Sequence, residues 1–565
     1  MAMMQMNHFK VTFIYFLIIM FLSGCDVEND SIKSLSENSI IYCAEGSPET
    51  FNPQLVTSGT TIDATSNQLY DRLLTYTGND NTLTPALAKS WHVTENGKKV
   101  TFYLRKDVQF HTTNYFTPSR LMNADDVIFS FNRIIQSDHP YHVTSGGNYP
   151  FSQNIGLKEL VTKIEKINDH TVRFNLKHAD NSFLPNLATD YAVILSAEYA
   201  DNMIKQESKA SVDTHPIGTG PFVLKEYRVG SFIRYYRHEQ YWRNPAQIEL
   251  LVYDITPSNT GRLTKLLARE CDVTAYPIAH EKINENNNLR LESLTAMNVG
   301  YFGFNVKKPP FNNKLVRQAI SYGINKKTLL DTVYQGKAEP AKSIIPNTSW
   351  AFDDSIPEHE FNPLIAKELL KKAGYPEGFS MDLWAMPVQR PYNPNAITMA
   401  KLIQADLFNI GINVKIVSYE WNTFLNRLSD GQHQSFLLGW SADHPEPDNF
   451  FSPILSCSAS ENGSNTTFWC NKEYDELIHQ SLKTTDVNKR KQNYSKAMKI
   501  LYQELPLIPI AHSKHYQARN KNITGDILAP FGGVNFYQVD KQKAPKKNKK
   551  TFTRKNIKSD DGDEN

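Results

Sequence analysis

Cysteine is the residue type whose number and spacing first suggest chemistry in this chain. The 565 residues contain five cysteines, namely Cys25, Cys43, Cys271, Cys457 and Cys470. Because the count is odd, at least one sulfur atom cannot pair within the chain. No Cys-x-x-Cys spacing occurs, so a structural zinc site is not expected. The unpaired sulfur must therefore have another role.

The N-terminus suggests a lipid anchor as that role. An apolar run over residues 11–22 follows His8 and Lys10, and Leu22-Ser-Gly-Cys25 ends the segment. The run is shorter than the roughly 20 residues that a membrane-spanning helix needs, and it is typical of a signal-peptide core. Its end resembles a bacterial lipobox, which implies that Cys25 becomes the lipidated first residue of the mature chain. The alternative is an ordinary signal peptide with a cysteine nearby by chance.

The lipobox divides the N-terminus into a signal peptide, residues 1–24, and a polar lipidated tether, residues 25–40. Asp26 directly after the cysteine implies retention at the inner membrane of a Gram-negative bacterium. Export also implies an oxidising compartment, which favours disulfide bonds between the other cysteines.

Four remaining cysteines allow three pairings. The simplest joins the neighbours Cys457 and Cys470 and leaves Cys43 with Cys271. The sequence by itself leaves the other two pairings open.

Composition and motifs argue against several other kinds of chemistry. Lys+Arg 61 against Asp+Glu 59 gives a formal charge of +2, which provides no general attraction to nucleic acid. The chain has no His-Glu-x-x-His, no Gly-x-Ser-x-Gly and no phosphate-binding glycine loop, and Gly439-Trp-Ser-Ala-Asp443 lacks the last glycine of a nucleophile elbow. No catalytic or metal-ligating residue and no cofactor are therefore expected.

Strand and helix patterns alternate in the segments that must position any site. Strands are predicted over residues 100–104 and 171–176, where apolar and polar positions alternate. A helix is predicted to begin after Asn123, with Asp125 and Asp126 in its first turn as helix-start residues rather than metal ligands.

The second half of the chain has a clearer pattern. A helix is predicted over residues 362–374, followed by a strand at 380–384, a helix at 396–407 and a strand at 414–417. This order predicts an α/β unit with largely parallel strands. Long polar insertions in the first 250 residues predict extra elements on another α/β lobe.

The C-terminus has a different composition. Residues 541–558 carry nine basic residues and no acidic one, and residues 559–565 are acidic. Neither block has an apolar period, so residues 541–565 are predicted to form a disordered tail. Contact with anionic lipid near the anchor is the alternative.

Seven segments share one resemblance, and they stand at residues 42–54, 57–61, 122–131, 216–222, 384–395, 439–440 and 446–451. They include Met122-Asn-Ala-Asp-Asp-Val-Ile-Phe-Ser-Phe131 and Glu446-Pro-Asp-Asn-Phe-Phe451. Together they resemble the periplasmic dipeptide-binding proteins of ABC importers, in bacterial solute-binding protein family 5. The resemblance covers about residues 40–540 and is close to the lipobox-bearing heme- and glutathione-binding lipoproteins of that family.

This resemblance implies the fold and its division. The family fold is a type II periplasmic binding protein of the peptide-binding cluster: two α/β lobes joined by a hinge, with an extra subdomain in the first lobe. Here the first lobe would span residues 41–297 and the second residues 298–512, and residues 513–540 would return to the first. The resemblance also implies the disulfides Cys43–Cys271 and Cys457–Cys470.

The resemblance further implies the ligand contacts. Asp443 would receive the ammonium group of a dipeptide, and Arg390 would bind its carboxylate, because a guanidinium bonds a carboxylate in a planar, bidentate way. A dipeptide is a zwitterion about 7 Å long, so these two charges would select ligand length. Without the resemblance, both would be interpreted as ordinary loop residues. The other expected contacts are Tyr392, Trp421, Trp440, main-chain groups at Gly439 and Ser441, and the loop of Thr57, Ser58, Gly59 and Thr60.

The predicted function is extracytoplasmic capture of dipeptides or short peptides for delivery to an ABC permease in the inner membrane. The protein would be a monomeric, non-enzymatic, lipid-anchored periplasmic receptor. The alternative is a heme- or glutathione-binding lipoprotein on the same scaffold, and a remote alternative is a secreted hydrolase.

Overall fold

The computed structural model describes residues 38–77, 82–529 and 531–542. The predicted lipidation site at Cys25, the signal peptide, almost all of the tether and the tail beyond residue 542 lie outside the described residues. Within the described ranges, no helix combines the length and the apolar character needed to cross a membrane.

The strands are short except for the last long one. In chain order they are β1 Ser39–Ala44, β2 Leu74–Thr77, β3 Thr82–Pro85, β4 Ala88–Thr94, β5 Lys99–Leu104, β6 Val161–Asn168, β7 Thr171–Leu176, β8 Phe222–Arg228, β9 Phe232–Arg237, β10 Leu250–Ile255, β11 Val273–Ala275, β12 Leu289–Thr295, β13 Asn298–Phe304, β14 Ala338–Pro340, β15 Phe379–Ala385, β16 Ile412–Val417, β17 Ser435–Ser441, β18 Leu507–Asn520, β19 Ile523–Thr524 and β20 Asp540–Lys541.

The helices lie between these strands. They are α1 Gly59–Leu69, α2 Ala124–Ile135, α3 Pro150–Asn154, α4 Leu157–Leu160, α5 Phe183–Asn186, α6 Ala197–Lys205, α7 Ser211–Thr214, α8 Asn259–Leu267, α9 His280–Glu285, α10 Lys314–Gly323, α11 Lys326–Val333, α12 Pro363–Lys372, α13 Ala396–Phe408, α14 Trp421–Ser429, α15 Asp448–Leu455, α16 Ala459–Asn462, α17 Lys472–Lys483 and α18 Val487–Glu504.

One large mixed sheet runs through the molecule in the order β16-β15-β17-β13-β18-β11-β1-β10-β9-β8. Strand β18 connects its two parts, since its residues 507–511 pair with β13 and its residues 514–520 pair with β12. Strand β15 is parallel to β16 and β17, as the strand-helix alternation predicted, whereas β13 and β18 are antiparallel to their neighbours. The sheet is therefore mixed rather than largely parallel.

The buried apolar residues form two large clusters. One takes its members from residues 40–275 and 523–539, and the other from residues 299–511. Each cluster needs its own burial of apolar surface, which is the main favourable term in folding. We call the two parts the first and second lobes. The precise lobe limits given above stay a prediction.

An additional four-stranded antiparallel sheet, in the order β4-β5-β7-β6, decorates the first lobe and packs against α2. The predicted helix start after Asn123 is present as a capping box, in which the side chains of Asn123 and Asp126 each accept a backbone N–H of the other's end. Asp126 also receives two hydrogen bonds from Arg120, which holds the loop before the helix.

The predicted elements of the second lobe are present with small shifts at their ends. The helix predicted at 362–374 is α12, with Asn362 as the cap that accepts two backbone N–H groups and Pro363 as its first residue. Both predicted disulfides are also present: Cys43 pairs with Cys271 at a Cα–Cα distance of 5.9 Å, and Cys457 pairs with Cys470 at 4.5 Å.

Candidate functional site

A cavity of about 310 Å³ lies between the two lobes. The first lobe lines it with the start of α1, with Tyr191 and Tyr276, and with the loop at Gly532. The second lobe lines it with the end of β17, the start of α14 and the loop that follows β15. Because both apolar clusters border this space, a ligand inside it would contact both lobes at once.

The loop after β15 holds Arg390 by a closed turn. The backbone N–H of Arg390 donates to the Asn393 carbonyl and the Asn393 N–H donates back, both at 3.1 Å. The Tyr334 hydroxyl donates to the Tyr392 carbonyl at 2.8 Å. The side chain of Arg390 is therefore presented from a backbone that has little freedom.

Two strand glycines make room for this turn. A Cβ atom at Gly439 would lie 2.2 Å from the Tyr392 ring, and one at Gly300 would lie 2.2 Å from the Tyr392 carbonyl oxygen. Both positions lie opposite each other in the β13–β17 pair. The sheet can approach the turn so closely only because these two residues have no side chain.

The Arg390 guanidinium is buried and shared between the lobes. Its Nη1 donates to Oε1 of Glu45, in the first lobe, at 2.7 Å. Its Cζ lies 5.2 Å from the Trp421 ring centroid and 5.6 Å from that of Tyr276. Burial opposes the charge, yet the Glu45 carboxylate keeps the Arg390 pKa above its ordinary value. Nη2 is buried and makes no hydrogen bond of normal geometry to the described residues.

The Asp443 carboxyl has the opposite problem. Burial, together with the nearby Asp190 carboxylate, raises the pKa of Asp443 to about 8. Asn449 partly offsets this, since its Nδ2 donates to Asp443 Oδ2 at 3.4 Å and its Oδ1 accepts the Asp443 N–H at 2.7 Å. No Lys, Arg or His nitrogen in the described part of the chain lies within 4 Å of Asp443. A ligand cation would therefore supply the counter-charge that this carboxyl lacks.

The end of β17 offers a free strand edge. Strand β17 pairs with β13 along residues 435–441, but with β15 only at Ser435, Phe436 and Leu437. On the β15 side, residues 438–441 have no strand partner among the described residues. Main-chain groups at Gly439 and Ser441 thus remain available to an extended peptide.

Helix α1 brings the first lobe to the cavity. It begins at Gly59, where an added Cβ would meet only the Arg390 side chain, at 4.0 Å. Asp63 on the same helix lines the cavity, and its Oδ1 accepts the Val534 N–H at 3.0 Å. Burial and the Glu45 carboxylate raise the pKa of Asp63 to about 7.

Direct contacts also join the lobes at the rim of the cavity. Asn154 and Ser464 exchange two hydrogen bonds, of 2.9 Å from Asn154 Nδ2 to Ser464 Oγ and 2.7 Å from the Ser464 N–H to Asn154 Oδ1. The His444 imidazole contacts Asn186 Oδ1 at 2.9 Å. The described conformation is therefore one in which the lobes touch around the cavity.

Ten of the eleven expected ligand contacts line this cavity: Arg390, Asp443, Trp421, Trp440, Gly439, Ser441, Tyr392, Thr57, Ser58 and Gly59. Thr60 does not, because its side chain turns toward Gly46 and Ser58. Trp421 is both a lining residue and a core aromatic, since it stacks on Phe424 at 5.8 Å. Their role in ligand binding stays a prediction.

The sequence reading missed several residues of the site. Glu45 lies in a segment that carried the resemblance, but nothing in its neighbourhood indicated a partner 345 residues away. Tyr276 and His515 face the cavity from distant parts of the chain and stack on each other at 5.7 Å. Burial lowers the pKa of His515 to about 4, so this imidazole is neutral near pH 7. Only a periodic apolar pattern marked these segments.

Comparison with known proteins gives a consistent result. Residues 82–462 match the family described as bacterial extracellular solute-binding proteins, family 5 Middle. The dipeptide-binding protein of Escherichia coli is 44% identical over 508 residues, which cover 90% of this chain and 95% of that protein. The heme-binding protein A of Haemophilus influenzae is 39% identical over 528 residues, which cover 92% and 96%.

A solved structure agrees with the sequence relatives. The dipeptide-binding protein of Pseudoalteromonas sp. SM9913, in complex with Met-Leu, superposes with a TM-score of 0.88 at 47% identity, covering 89% of this chain and 100% of that one. The mixed sheet, the two clusters and the cavity between them fit the same two-lobed arrangement. The chain belongs to the bacterial extracellular solute-binding proteins of family 5.

Proposed function

We propose that this protein captures dipeptides or short peptides between its two lobes and delivers them to an ABC permease. The observation that carries the proposal is the combination of two unsatisfied groups in one cavity. Asp443 has no cationic partner in the described part of the chain, and Arg390 has one buried nitrogen without a partner. A peptide with a free ammonium and a free carboxylate supplies both.

The rest of the cavity supports the same ligand. The free edge at residues 438–441 can bond a peptide backbone without contacting its side chains, which favours broad specificity. The N-terminus of α1 begins beside Arg390, where its partial positive charge favours a ligand carboxylate. Closure around the ligand would then be stabilised by contacts to both lobes at once.

The charge of the lining residues favours a dipeptide over glutathione. Arg390 is the single Lys or Arg among the described residues that line the cavity. Glutathione carries two carboxylates, and the second would have no cation to pair with. A heme ligand is the other alternative, because a relative of similar identity is named for heme binding.

One titration series separates these ligands. Calorimetry with Ala-Ala, Met-Leu, glutathione and hemin should show binding of the dipeptides at least tenfold tighter than that of the other two. Tighter binding of hemin or glutathione would contradict the proposal. Mass spectrometry of the ligand that co-purifies with the native protein identifies the physiological peptide, and the absence of any peptide cleavage would support a receptor over a hydrolase.

Substitution of Arg390 tests the carboxylate contact. Arg390→Ala should weaken dipeptide binding by about 2 kcal/mol or more, because the ligand charge is left unpaired. The substitution also leaves Glu45 buried without its partner, so Arg390→Ala combined with Glu45→Gln is the matched variant that protects the fold. Unchanged dipeptide affinity in both variants would reject the assignment.

We further propose that the mature chain is a monomeric periplasmic lipoprotein anchored through Cys25, with Asp26 retaining it at the inner membrane. The support is the lipobox-like end of the signal peptide. Labelling with a radioactive fatty acid should mark the wild-type protein and not Cys25→Ala, and equal labelling of the two proteins would refute this anchor.

A further inference from the structure

A second cavity, of about 230 Å³, lies directly behind Arg390. It shares Tyr276, Arg390 and Pro391 with the main cavity. Its other walls also come from both lobes: α9 and the end of β18 from one side, and the segments after α11 and β15 from the other. The two spaces are therefore neighbours separated by the Arg390 side chain and the residues that hold it.

The two cavities carry opposite charge. Carboxyl groups of Glu49, Asp63 and Asp443 line the main cavity. The second cavity is lined by Lys337, Lys514 and Arg390, and no Asp or Glu is among its described lining residues. A ligand with a positive and a negative end would thus be aligned with its negative end toward the second cavity.

One of these cations is held in place by a neutral histidine. Nε2 of His280 contacts the Pro277 carbonyl at 3.0 Å, and Nδ1 contacts Lys337 Nζ at 3.1 Å. Since an ammonium only donates, Nδ1 accepts and Nε2 carries the proton. Burial and the Lys337 charge lower the pKa of His280, which keeps the ring in this form. Lys337 is therefore positioned at the cavity although its side chain is largely exposed.

The boundary between the cavities contains two buried polar atoms without partners, Arg390 Nη2 and Gln389 Oε1. Both residues line the second cavity. A buried donor or acceptor that lacks a partner costs about 1–3 kcal/mol, so a chain that passed this point with its own amide groups would recover part of that cost.

We propose that the second cavity binds the C-terminal residue of a tripeptide or longer peptide, with Lys337 and Lys514 receiving its carboxylate. This proposal rests on the proposed function above. The amino end stays at Asp443, the backbone passes Arg390 by hydrogen bonding to its free nitrogen, and each added residue advances the chain by about 3.5 Å. The protein would then accept peptides longer than the two charges of the main cavity select.

Calorimetry on the full chain without its signal peptide tests this assignment. The probes are Ala-Ala, Ala-Ala-Ala and the C-terminal amide of Ala-Ala-Ala. The double variant Lys337→Ala with Lys514→Ala should weaken Ala-Ala-Ala binding about fivefold or more and change Ala-Ala binding less than twofold. The matched control is Lys282→Ala, which removes an exposed lysine of α9 that does not line the cavity.

Two further readouts identify the interaction as ionic. Binding of the amide should be insensitive to the double variant, and a rise in salt from 0.05 to about 0.5 M should weaken Ala-Ala-Ala binding more than Ala-Ala binding. Equal losses for both peptides, an unchanged Ala-Ala-Ala affinity, or failure of wild-type protein to bind Ala-Ala-Ala while it binds Ala-Ala would overturn the second cavity's role. Failure to bind any peptide would instead refute the proposed function itself.

Discussion

The ionisation of Asp443 gives the sharpest prediction, because the described protein holds this carboxyl in the wrong charge state for its ligand. Its pKa is about 8 in the absence of a cation, so at pH 6 only roughly 1% of the molecules carry the carboxylate that a peptide ammonium needs. Binding must then release a proton. Dipeptide affinity should fall about tenfold for each pH unit below 8, or about 100-fold from pH 7.5 to pH 5.5.

The direction of this linkage follows from the two states. A carboxyl whose pKa is raised in the fold stabilises the fold at low pH, and that contribution is lost as the pH rises through about 8. A bound ammonium lowers the pKa of the same carboxyl and reverses the preference. Ligand binding is therefore favoured above the pKa of the free protein and weakened below it.

Calorimetry at several pH values, repeated in buffers of different ionisation enthalpy, measures both the affinity and the proton release. Near pH 6.5 the release should approach one proton per dipeptide. An N-acetylated dipeptide has no ammonium and is the matched ligand control, which also accounts for titration of Asp63 in the same range. Asp443→Asn should bind the free dipeptide weakly and without this pH dependence. A flat affinity profile with no proton release in the wild-type protein would refute the reasoning.

Three further predictions concern the parts that hold the site. Gly439→Ala places a Cβ 2.2 Å from the Tyr392 ring, so the free energy of unfolding should fall by about 1–3 kcal/mol, whereas Gly59→Ala, whose Cβ has only a 4.0 Å contact, should leave the melting temperature nearly unchanged. Glu45→Ala leaves the Arg390 charge buried and unpaired, which should cost about 3–5 kcal/mol of stability and enlarge the melting shift that a dipeptide produces; an unaltered melting temperature would contradict it. Cys457→Ala with Cys470→Ala opens a loop with a sequence separation of 13 and should lower unfolding stability by about 3 kcal/mol in chemical denaturation, with equal midpoints counting against a structural role.

The local elements of the fold were predictable because their causes are local. Asn362, Pro363 and the lysines at the end of α12 are neighbours in sequence, and the helix they predict is present with nearly the same ends. The same holds for Asn123 at the start of α2. The sheet was less predictable, since the antiparallel partners of β13 are more than 130 residues away from it. Strand order depends on contacts between distant segments, and a pattern of alternating residues does not contain them.

The candidate site shows the same division. Arg390, Asp443, Trp421 and the loop at Thr57 were expected from resemblance, and the cavity brings them together. Nothing in the sequence indicated that Glu45 would already occupy one nitrogen of Arg390. Two charges far apart in sequence interact only after the lobes meet, so their pairing is a property of the tertiary structure.

By itself, the sequence determined the chemical inventory of this protein: five cysteines with one left over, no motif for hydrolysis, and the segments that place it among peptide-binding receptors. The tertiary structure decided the charge state of that inventory. Burial raises the pKa of Asp443, Glu45 takes part of Arg390, and a second cavity with cationic walls lies behind the guanidinium. The physical reason is that desolvation and Coulomb interactions depend on distance in space, which is set only when residues separated by hundreds of positions fold against one another.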